Sequence, residues 1–192
     1  MDEISLSTLD DIDAAIWREL QECARQRTHA WRTPVLATTD LRGHADARLL
    51  VVREVEPVAR LIRFFTDARS PKQAQVKLRP QGVLVMWSPV LNWQLRLAVS
   101  LQLQFAGPAV SSRCERMKSS RSASDYVSTL PPGNPLGDDV ARLSEDAAAK
   151  SEPSGNFALL DANVQSIDWL ELSEQGHRHA RFDADGARWL QP

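Results

Sequence analysis

The fold of this chain is decided by one stretch, Trp93-Gln-Leu-Arg-Leu-Ala-Val-Ser-Leu-Gln-Leu-Gln-Phe105, in which every odd-numbered residue is apolar. The even-numbered positions hold Gln, Arg, Ala and Ser. This alternation of period two predicts a long β-strand with one face in the core and the other face polar. At ~3.4 Å per residue such a strand would run roughly 40 Å, which is long enough to bend round a β-barrel.

The sequence on both sides of this strand is also rich in short β-patterns bounded by turn residues. Further strand candidates are residues 34–39, 47–52, 61–66, 82–87, 156–160, 164–172 and 178–183, with a short one at 187–190. Because strands and helices do not alternate regularly, this spacing favours an antiparallel barrel over a Rossmann sheet. We therefore expect a mainly β fold with flanking helices, built on six to eight antiparallel strands.

The chain is expected to form a single domain over residues 1–192. Its N-terminal part, residues 1–30, contains apolar residues at helical spacing behind Ser7 or Thr8, either of which can cap a helix. We expect this helix to pack on the β-structure. Residues 138–155 are rich in Ala, Ser and acidic residues and poor in apolar ones, which predicts a mobile loop.

Two more helices are predicted from their start signals. Ser70 followed by Pro71 is typical of a cap and the first position of a short helix. The capping box Ser112-x-x-Glu115 predicts a longer helix that runs towards Leu130.

Composition narrows the class of protein. The chain has 192 residues, of which 43% are hydrophobic and 25% charged, as in ordinary folded proteins. No apolar run approaches ~18 residues, so no membrane span is expected, and the acidic N-terminus lacks the features of a secretory signal. Cys23 and Cys114 lie far apart, which predicts two reduced thiols in a cytoplasmic protein and neither a disulfide framework nor a metal site.

The charge distribution points to a small anionic ligand. The net charge is −2, but residues 25–79 hold twelve Lys and Arg against five Asp and Glu. A nucleic-acid-binding domain is usually basic overall with a pI above ~9, whereas this chain has a pI near 6.1. We therefore expect no nucleic-acid partner and a compact ligand, such as a small molecule that carries a phosphate.

The parts of a phosphate site occur together between residues 48 and 72. Arg48 lies on one strand, Thr66 ends the next, and Ser70 and Lys72 fall at the start of the short helix. A helix N-terminus, a guanidinium, an ammonium and two hydroxyls together suit a phosphate group. The alternative is a set of solvated basic residues around an ordinary capped helix.

These residues also carry a resemblance to a known family. The motifs that carry the resemblance are Arg48-Leu-Leu-Val-Val-Arg53, Phe64-Phe-Thr66-Asp-Ala-Arg-Ser70-Pro-Lys72, Trp93-Gln94-Leu-Arg96, Asn156-Phe-Ala-Leu-Leu160 and His177-Arg-His179-Ala-Arg181. In order and spacing they resemble the FMN-binding pattern of the pyridoxamine-phosphate oxidase-like flavoproteins over residues 30–192. The chain is most similar to the bacterial oxidase-related branch, whose substrates are mostly unassigned.

The resemblance implies a homodimeric FMN-binding split β-barrel with FMN in a groove between the two subunits. The cofactor-binding residues that it implies are Arg48, Ser70 and Lys72 for the phosphate, Leu49, Leu50 and Val51 for the isoalloxazine through their backbone, Phe65 and Thr66 for the ribityl chain, Gln94 for the ring system, and Arg181 to complete the flavin site.

The substrate side departs from the oxidase pattern. Arg53 stands where the oxidases have Lys, and Leu130 and His177 stand where they have Arg residues for the substrate phosphate, while Tyr126 and His179 are retained. Phosphate recognition needs charged, bidentate partners. We therefore expect that pyridoxamine phosphate is not the physiological substrate.

The leading hypothesis is an FMN-dependent oxidoreductase in which Arg53, Tyr126 and His179 orient an unidentified small-molecule substrate. The catalytic residues and the electron donor stay unknown at this level. Three alternatives are open: a non-catalytic flavin-binding protein that stores or senses flavin, a β-barrel interaction module without flavin, and a split barrel that binds a deazaflavin or haem instead.

Overall fold

The structure is a computed structural model that describes residues 6–119, 126, 130–135 and 155–192. The loop predicted at 138–155 lies outside these residues except for its last position. The helices are α1 (Leu9–Arg25), α2 (Lys72–Leu78) and α3 (Pro108–Lys118), with a 3-10 turn at Ala30–Arg32. The strands are β1 (Val35–Thr39), β2 (Ala45–Leu49), β3 (Val52–Glu56), β4 (Leu61–Asp67), β5 (Gln81–Ser88), β6 (Trp93–Gln104), β7 (Phe157–Glu171), β8 (Arg178–Asp183) and β9 (Gly186–Leu190).

These nine strands form one antiparallel sheet, so the predicted mainly β fold with flanking helices is confirmed. The order is β2-β1-β5-β6-β7-β4-β3, with β8 on β7 and β9 on β8, and the hydrogen-bonded path of the described strands is open. The sheet forks at β7, because β4 pairs with the first half of its free edge and β8 with the second half. The strand number exceeds the expected six to eight, since residues 52–56 form a strand that the pattern did not predict.

The long alternating strand is confirmed as β6. Its odd-numbered residues from Trp93 to Leu101 are buried, with Leu95 and Leu97 fully buried, while Leu103 is half-buried and the even-numbered residues are exposed or half-buried. Phe105 lies beyond the end of the strand and is exposed, so the predicted strand is one residue too long. Pairing with β5 on one side and β7 on the other makes β6 the centre of the sheet.

Helix α1 covers one end of the sheet as predicted. The Thr8 hydroxyl accepts a hydrogen bond from the Asp11 amide, and the Asp11 carboxylate accepts one from the Thr8 amide, which completes a capping box. The apolar stripe Ile12, Ile16 and Leu20 is fully buried and belongs to the main core. This helix packs mainly against β3.

The single strand expected at 47–52 is in fact interrupted. Leu49 ends β2 opposite Val35, the Leu50 amide donates to the Pro34 carbonyl, and Val52 begins β3 opposite Phe64. The chain therefore changes partner from β1 to β4 within two residues. An apolar run carries no signal for such a change, because apolar character alone does not record which strand lies alongside.

Two other predicted boundaries are wrong. α3 begins at Pro108 after Gly107, whose φ of 105° suits glycine, and the Ser112 hydroxyl donates to a carbonyl inside the helix, so Ser112 is not the cap. The path predicted from Lys118 towards Leu130 lies partly outside the described residues. The two strands predicted at 156–160 and 164–172 form one strand, β7, because the polar residues between them are paired across the sheet.

Both cysteines are buried and free, and burial raises the pKa of the Cys23 thiol to about 12, so that thiol stays protonated. None of the helices in the described part of the chain combines the length and the apolar character that crossing a membrane requires.

Candidate functional site

The Lys72 ammonium is the centre of the strongest candidate site. Its Nζ donates to the Thr66 Oγ1 at 2.8 Å and to the Ser70 Oγ at 2.7 Å, and both hydroxyl residues are buried. Burial lowers the pKa of Lys72, the charge of Arg48 lowers it further, and Asp67 opposes these effects only in part. A cation held by neutral hydroxyls beside a second cation keeps its positive potential, so the surroundings favour a bound anion.

Arg48 is held on the other side of this site by a polar network. Its Nη2 donates to the Gln75 Oε1 at 2.8 Å and to the Asp46 carboxylate, and its Nη1 donates to the Thr38 hydroxyl. The Gln75 Nε2 in turn donates to the Asp46 Oδ2 at 2.6 Å. These partners were not predicted from the sequence, although Asp46 lies two positions before Arg48, on the same face of β2, and Gln75 lies one helical turn after Lys72.

The start of α2 differs from the predicted arrangement. The helix begins at Lys72 and has seven residues, so Ser70 lies outside it, and its hydroxyl accepts a hydrogen bond from Lys72. Asp67, which is buried, accepts from the Arg69 amide at 2.7 Å and pairs with the Arg69 guanidinium. The side chains of this site are consequently supplied by the β4–α2 connection and the first residue of α2.

An aromatic cluster lies beside this connection. The Phe65 ring packs edge-on against Phe157 with 5.0 Å between the ring centroids, and Tyr126 also packs edge-on against Phe157 at 5.4 Å. The Arg53 guanidinium lies over the Phe65 ring at 5.5 Å from its centroid. The structure thus brings two predicted substrate-orienting residues, Arg53 and Tyr126, to the same cluster as Phe65, one position from Thr66.

The three residues predicted to face the flavin ring through their backbone lie at the change of partner between β2 and β3. Leu49 is 65% exposed, whereas Leu50 and Val51 are half-buried. They follow Arg48 directly, so any group bound at Arg48 and Lys72 has this backbone next to it.

An ionic network ties this region to α3. Glu54 on β3 accepts hydrogen bonds from Arg113 of α3 and from Arg63 of β4, and Arg63 also forms a bidentate pair with the buried Asp161 of β7. Burial tends to raise the pKa of Glu54, but the hydrogen bonds from Arg113 and Arg63 outweigh it, and its pKa lies below the ordinary value. Sequence analysis did not find this network, because its members are far apart in the chain.

The other predicted flavin residues lie at the opposite end of β7. Phe65 pairs with Leu159, whereas Gln94 pairs with Leu170, eleven positions further along the same strand. At ~3.3 Å per residue this is a contour length of about 36 Å. Arg181 pairs with Asp168 on the same distant half. Within one chain, the structure does not bring Gln94 and Arg181 to Lys72.

His179 and Arg181 are both held by neighbours. The His179 Nε2 lies 3.2 Å from the Asp168 Oδ1, and its Nδ1 lies 2.9 Å from the Gln191 carbonyl oxygen. The Arg181 Nε donates to the Asp183 carboxylate at 3.0 Å. His179 is therefore held by contacts at both of its ring nitrogens.

A cavity of about 590 Å³ lies at this same end of the sheet, beside the turn between β7 and β8. Its walls include Leu91, Asn92, Glu171, Leu172, Ser173 and His177. The Lys72 site and this cavity are thus separate features of one chain. Among the described residues, no three His, Cys, Asp or Glu side chains are grouped so that they could hold a metal ion.

Comparison with known proteins supports the resemblance seen in the motifs. A family model described as pyridoxamine 5'-phosphate oxidase, FMN-binding domain, matches residues 14–104, a range that includes Arg48, Lys72 and Gln94. The pyridoxine/pyridoxamine 5'-phosphate oxidase of Thermosynechococcus vestitus is 28% identical over 133 residues, which cover 69% of this chain and 52% of that protein. The match therefore spans about half the length of the curated relative.

Solved structures share the fold over nearly the whole chain. A pyridoxamine 5'-phosphate oxidase-related, FMN-binding protein from Nostoc punctiforme has a TM-score of 0.73 at 23% identity, covering 93% of this chain and 96% of its own. PhzG from Burkholderia lata, in complex with tetrahydrophenazine-1-carboxylic acid, has a TM-score of 0.71 at 16% identity, covering 93% and 91%. These likenesses confirm the split-barrel class. Residues 14–104 are thus similar to the FMN-binding domain of pyridoxamine 5'-phosphate oxidases, and the chain shares its fold with these solved structures.

Proposed function

We propose that this protein is a cytoplasmic, homodimeric FMN-binding flavoprotein that acts as an oxidoreductase on a substrate other than pyridoxamine phosphate. The observation that carries the proposal is the half-buried Lys72 ammonium, held by the hydroxyls of Thr66 and Ser70 beside Arg48. The donor set fits the phosphate of FMN, because two cations and two hydroxyls converge where the pKa of Lys72 is lowered by burial and by like charge.

The remaining contacts follow from the order of the chain around this site. Arg48, Ser70 and Lys72 would hold the phosphate, and Thr66 and Phe65 would border the ribityl chain. The backbone of residues 49–51 would lie along the isoalloxazine. Bound FMN supplies hydride transfer, so the protein's own task is to position the substrate and to tune the ring.

A second copy of the chain is needed to complete the site. Gln94 and Arg181 pair with the part of β7 remote from Phe65, up to about 36 Å further along that strand, so we expect a second copy to bring them to the flavin. The sheet face that carries Gln94 also exposes apolar residues, among them Val83 at 38% and Trp87 at 43%, the latter directly opposite Gln94. An apolar face next to polar cofactor residues suits an isologous dimer contact.

The proposed substrate differs from that of the oxidases because two phosphate-binding arginines are replaced, by Leu130 and His177. Arg53 and Tyr126 meet at the Phe65 cluster and would orient the substrate over the flavin. His179, fixed between Asp168 and the Gln191 carbonyl, would reach the same substrate from the second subunit. This set offers one guanidinium, which suits a substrate with a single anionic group.

The first test is the absorption spectrum of the purified protein with and without added FMN. We expect bands near ~370 and ~450 nm from about one FMN per chain. Replacing Lys72 or Arg48 by Ala should weaken FMN binding by about 10- to 100-fold, since each removes charge-assisted hydrogen bonds. Lys77→Ala, an exposed lysine on the same helix, is the matched control and should bind FMN as the wild type does.

Turnover decides between an enzyme and a flavin store or sensor. For the oxidoreductase, at least one compound in a substrate panel should reoxidise or reduce bound flavin faster than free FMN. If FMN binds at the Lys72 site and no compound accelerates its reaction, the non-catalytic alternative stands. A colourless protein that does not take up FMN contradicts the proposal as a whole.

A further inference from the structure

Gln75 has a buried side-chain amide in the middle of α2. Its polar atoms form hydrogen bonds with Arg48 and with two residues that also bind Arg48. Its Oε1 accepts from the Arg48 Nη2 at 2.8 Å and from the Thr38 Oγ1 at 2.8 Å, and its Nε2 donates to the Asp46 Oδ2 at 2.6 Å. Only 6% of the residue is exposed. A polar residue buried in a helix of seven residues, with every side-chain polar atom in use, has a specific structural task.

That task concerns the orientation of Arg48. A guanidinium is planar, so holding two of its nitrogens fixes the plane and the direction of its other N–H groups. Gln75 and Asp46 hold Nη2, and Thr38 holds Nη1. Because Gln75 follows Lys72 by three residues on α2, the same turn of helix places the ammonium and aims the guanidinium.

We propose that Gln75 is a positioning residue for the phosphate of the bound flavin nucleotide, acting through Arg48; this inference rests on the proposed FMN site. Gln75 need not touch the ligand. It couples α2, which carries Lys72, to β1 and β2, which carry Thr38, Asp46 and Arg48, so that both cations face one anion. The polarity of the amide matters, because its oxygen meets two donors and its nitrogen meets a carboxylate.

A merely structural role makes a different prediction, which riboflavin can reveal. Riboflavin has the ring and the ribityl chain of FMN but no phosphate. If Gln75 positions Arg48, its replacement weakens FMN binding and leaves riboflavin binding unchanged. If Gln75 only stabilises the fold, both ligands respond alike.

The experiment measures dissociation constants for FMN and riboflavin by flavin fluorescence, with thermal unfolding as a check of folding. Gln75→Leu removes both kinds of hydrogen bond at similar volume, and we expect about tenfold weaker FMN binding. Gln75→Glu keeps the acceptor but sets a second carboxylate against Asp46, and we expect a larger loss for FMN. Riboflavin affinity should stay within about twofold for both variants, and Gln73→Leu on the same helix is the control.

A double-mutant cycle checks that the effect passes through Arg48. In the Arg48→Ala background, Gln75→Leu should cause no further loss of FMN affinity. Equal losses for FMN and riboflavin, unchanged FMN affinity in both Gln75 variants, or additive losses in the cycle each overturn the inference while leaving the FMN site intact. If the wild type binds FMN no more tightly than riboflavin, the phosphate site itself is wrong, and the inference falls with it.

Discussion

The Lys72 site and Gln94 are proposed to lie on different subunits around each flavin. This leads to a test in which the distribution of two mutations between the subunits, and not their number, decides the result. Lys72 follows β4, in which Phe65 pairs with Leu159 of β7, whereas Gln94 pairs with Leu170. These two positions of β7 are up to about 36 Å apart along the strand. If the proposed homodimer is correct, each flavin is held by Lys72 of one subunit and Gln94 of the other. A two-fold dimer then has two such sites.

Two heterodimers carry the same two substitutions in different arrangements. In the trans heterodimer one subunit carries Lys72→Ala and the other carries Gln94→Ala, so one site receives both lesions and the other site receives none. In the cis heterodimer one subunit carries both substitutions and its partner is wild type, so each site receives one lesion. We expect about one tight site per trans heterodimer and none per cis heterodimer.

The heterodimers are made by co-expression with two different affinity tags, and the tight sites are counted by fluorescence titration with FMN. Lys72→Ala should weaken its site by about 10- to 100-fold and Gln94→Ala by about 3- to 10-fold, so damaged sites bind measurably less tightly than intact ones. If flavin binds within one chain, the result reverses: the cis heterodimer keeps one tight site and the trans heterodimer has none. That reversal, or a monomer in sedimentation experiments, would refute the interface site.

Two further predictions concern charge. Burial and the charge of Arg48 lower the pKa of Lys72, so its ammonium loses its proton at a lower pH than an ordinary lysine with a pKa of 10.5. The ratio of FMN affinity to riboflavin affinity should therefore begin to fall below pH 10.5 as the pH rises. Titration of both ligands measures this ratio, and Lys72→Arg should abolish the fall, since arginine stays protonated. Glu54→Gln removes a half-buried carboxylate that binds α3 and should cost roughly 1–3 kcal/mol in the free energy of unfolding, whereas Glu56→Gln, at a more exposed neighbour, should cost under about 0.5 kcal/mol. The pKa of Glu54 is lowered in the folded state, so its contribution to the free energy of unfolding is present at neutral pH and is lost as the pH falls through that lowered pKa. Chemical denaturation at several pH values measures this loss. Equal costs for the Glu54 and Glu56 variants would contradict this account.

Local patterns were sufficient for the elements that obey one periodicity throughout. The alternation in β6 and the helical stripe of α1 were both predicted from sequence and confirmed, because each records which face of its own element is buried. Hydrophobic patterns failed to predict strand boundaries where the chain changes its neighbouring strand. The break at Leu50 between β2 and β3, and the joining of two predicted strands into β7, depend on which strand lies alongside.

The same division holds for the candidate site. Residue types and spacing selected Arg48, Thr66, Ser70 and Lys72, since an anion site needs cations and hydroxyls close together in the chain. Spacing could not find Gln75, which lies 27 positions after Arg48, as the orienting partner of that arginine.

What the sequence by itself determined is therefore the class of the fold, a resemblance to FMN-binding domains, and a set of residues suited to a phosphate. The tertiary structure alone decided which of them meet. Arg63 and Asp161 are 98 positions apart in the sequence yet form a bidentate pair. Phe65 and Gln94 are only 29 positions apart, yet they pair with residues towards opposite ends of β7. The physical reason is that periodicity reports local burial, whereas contacts across a sheet are set by strand order and register.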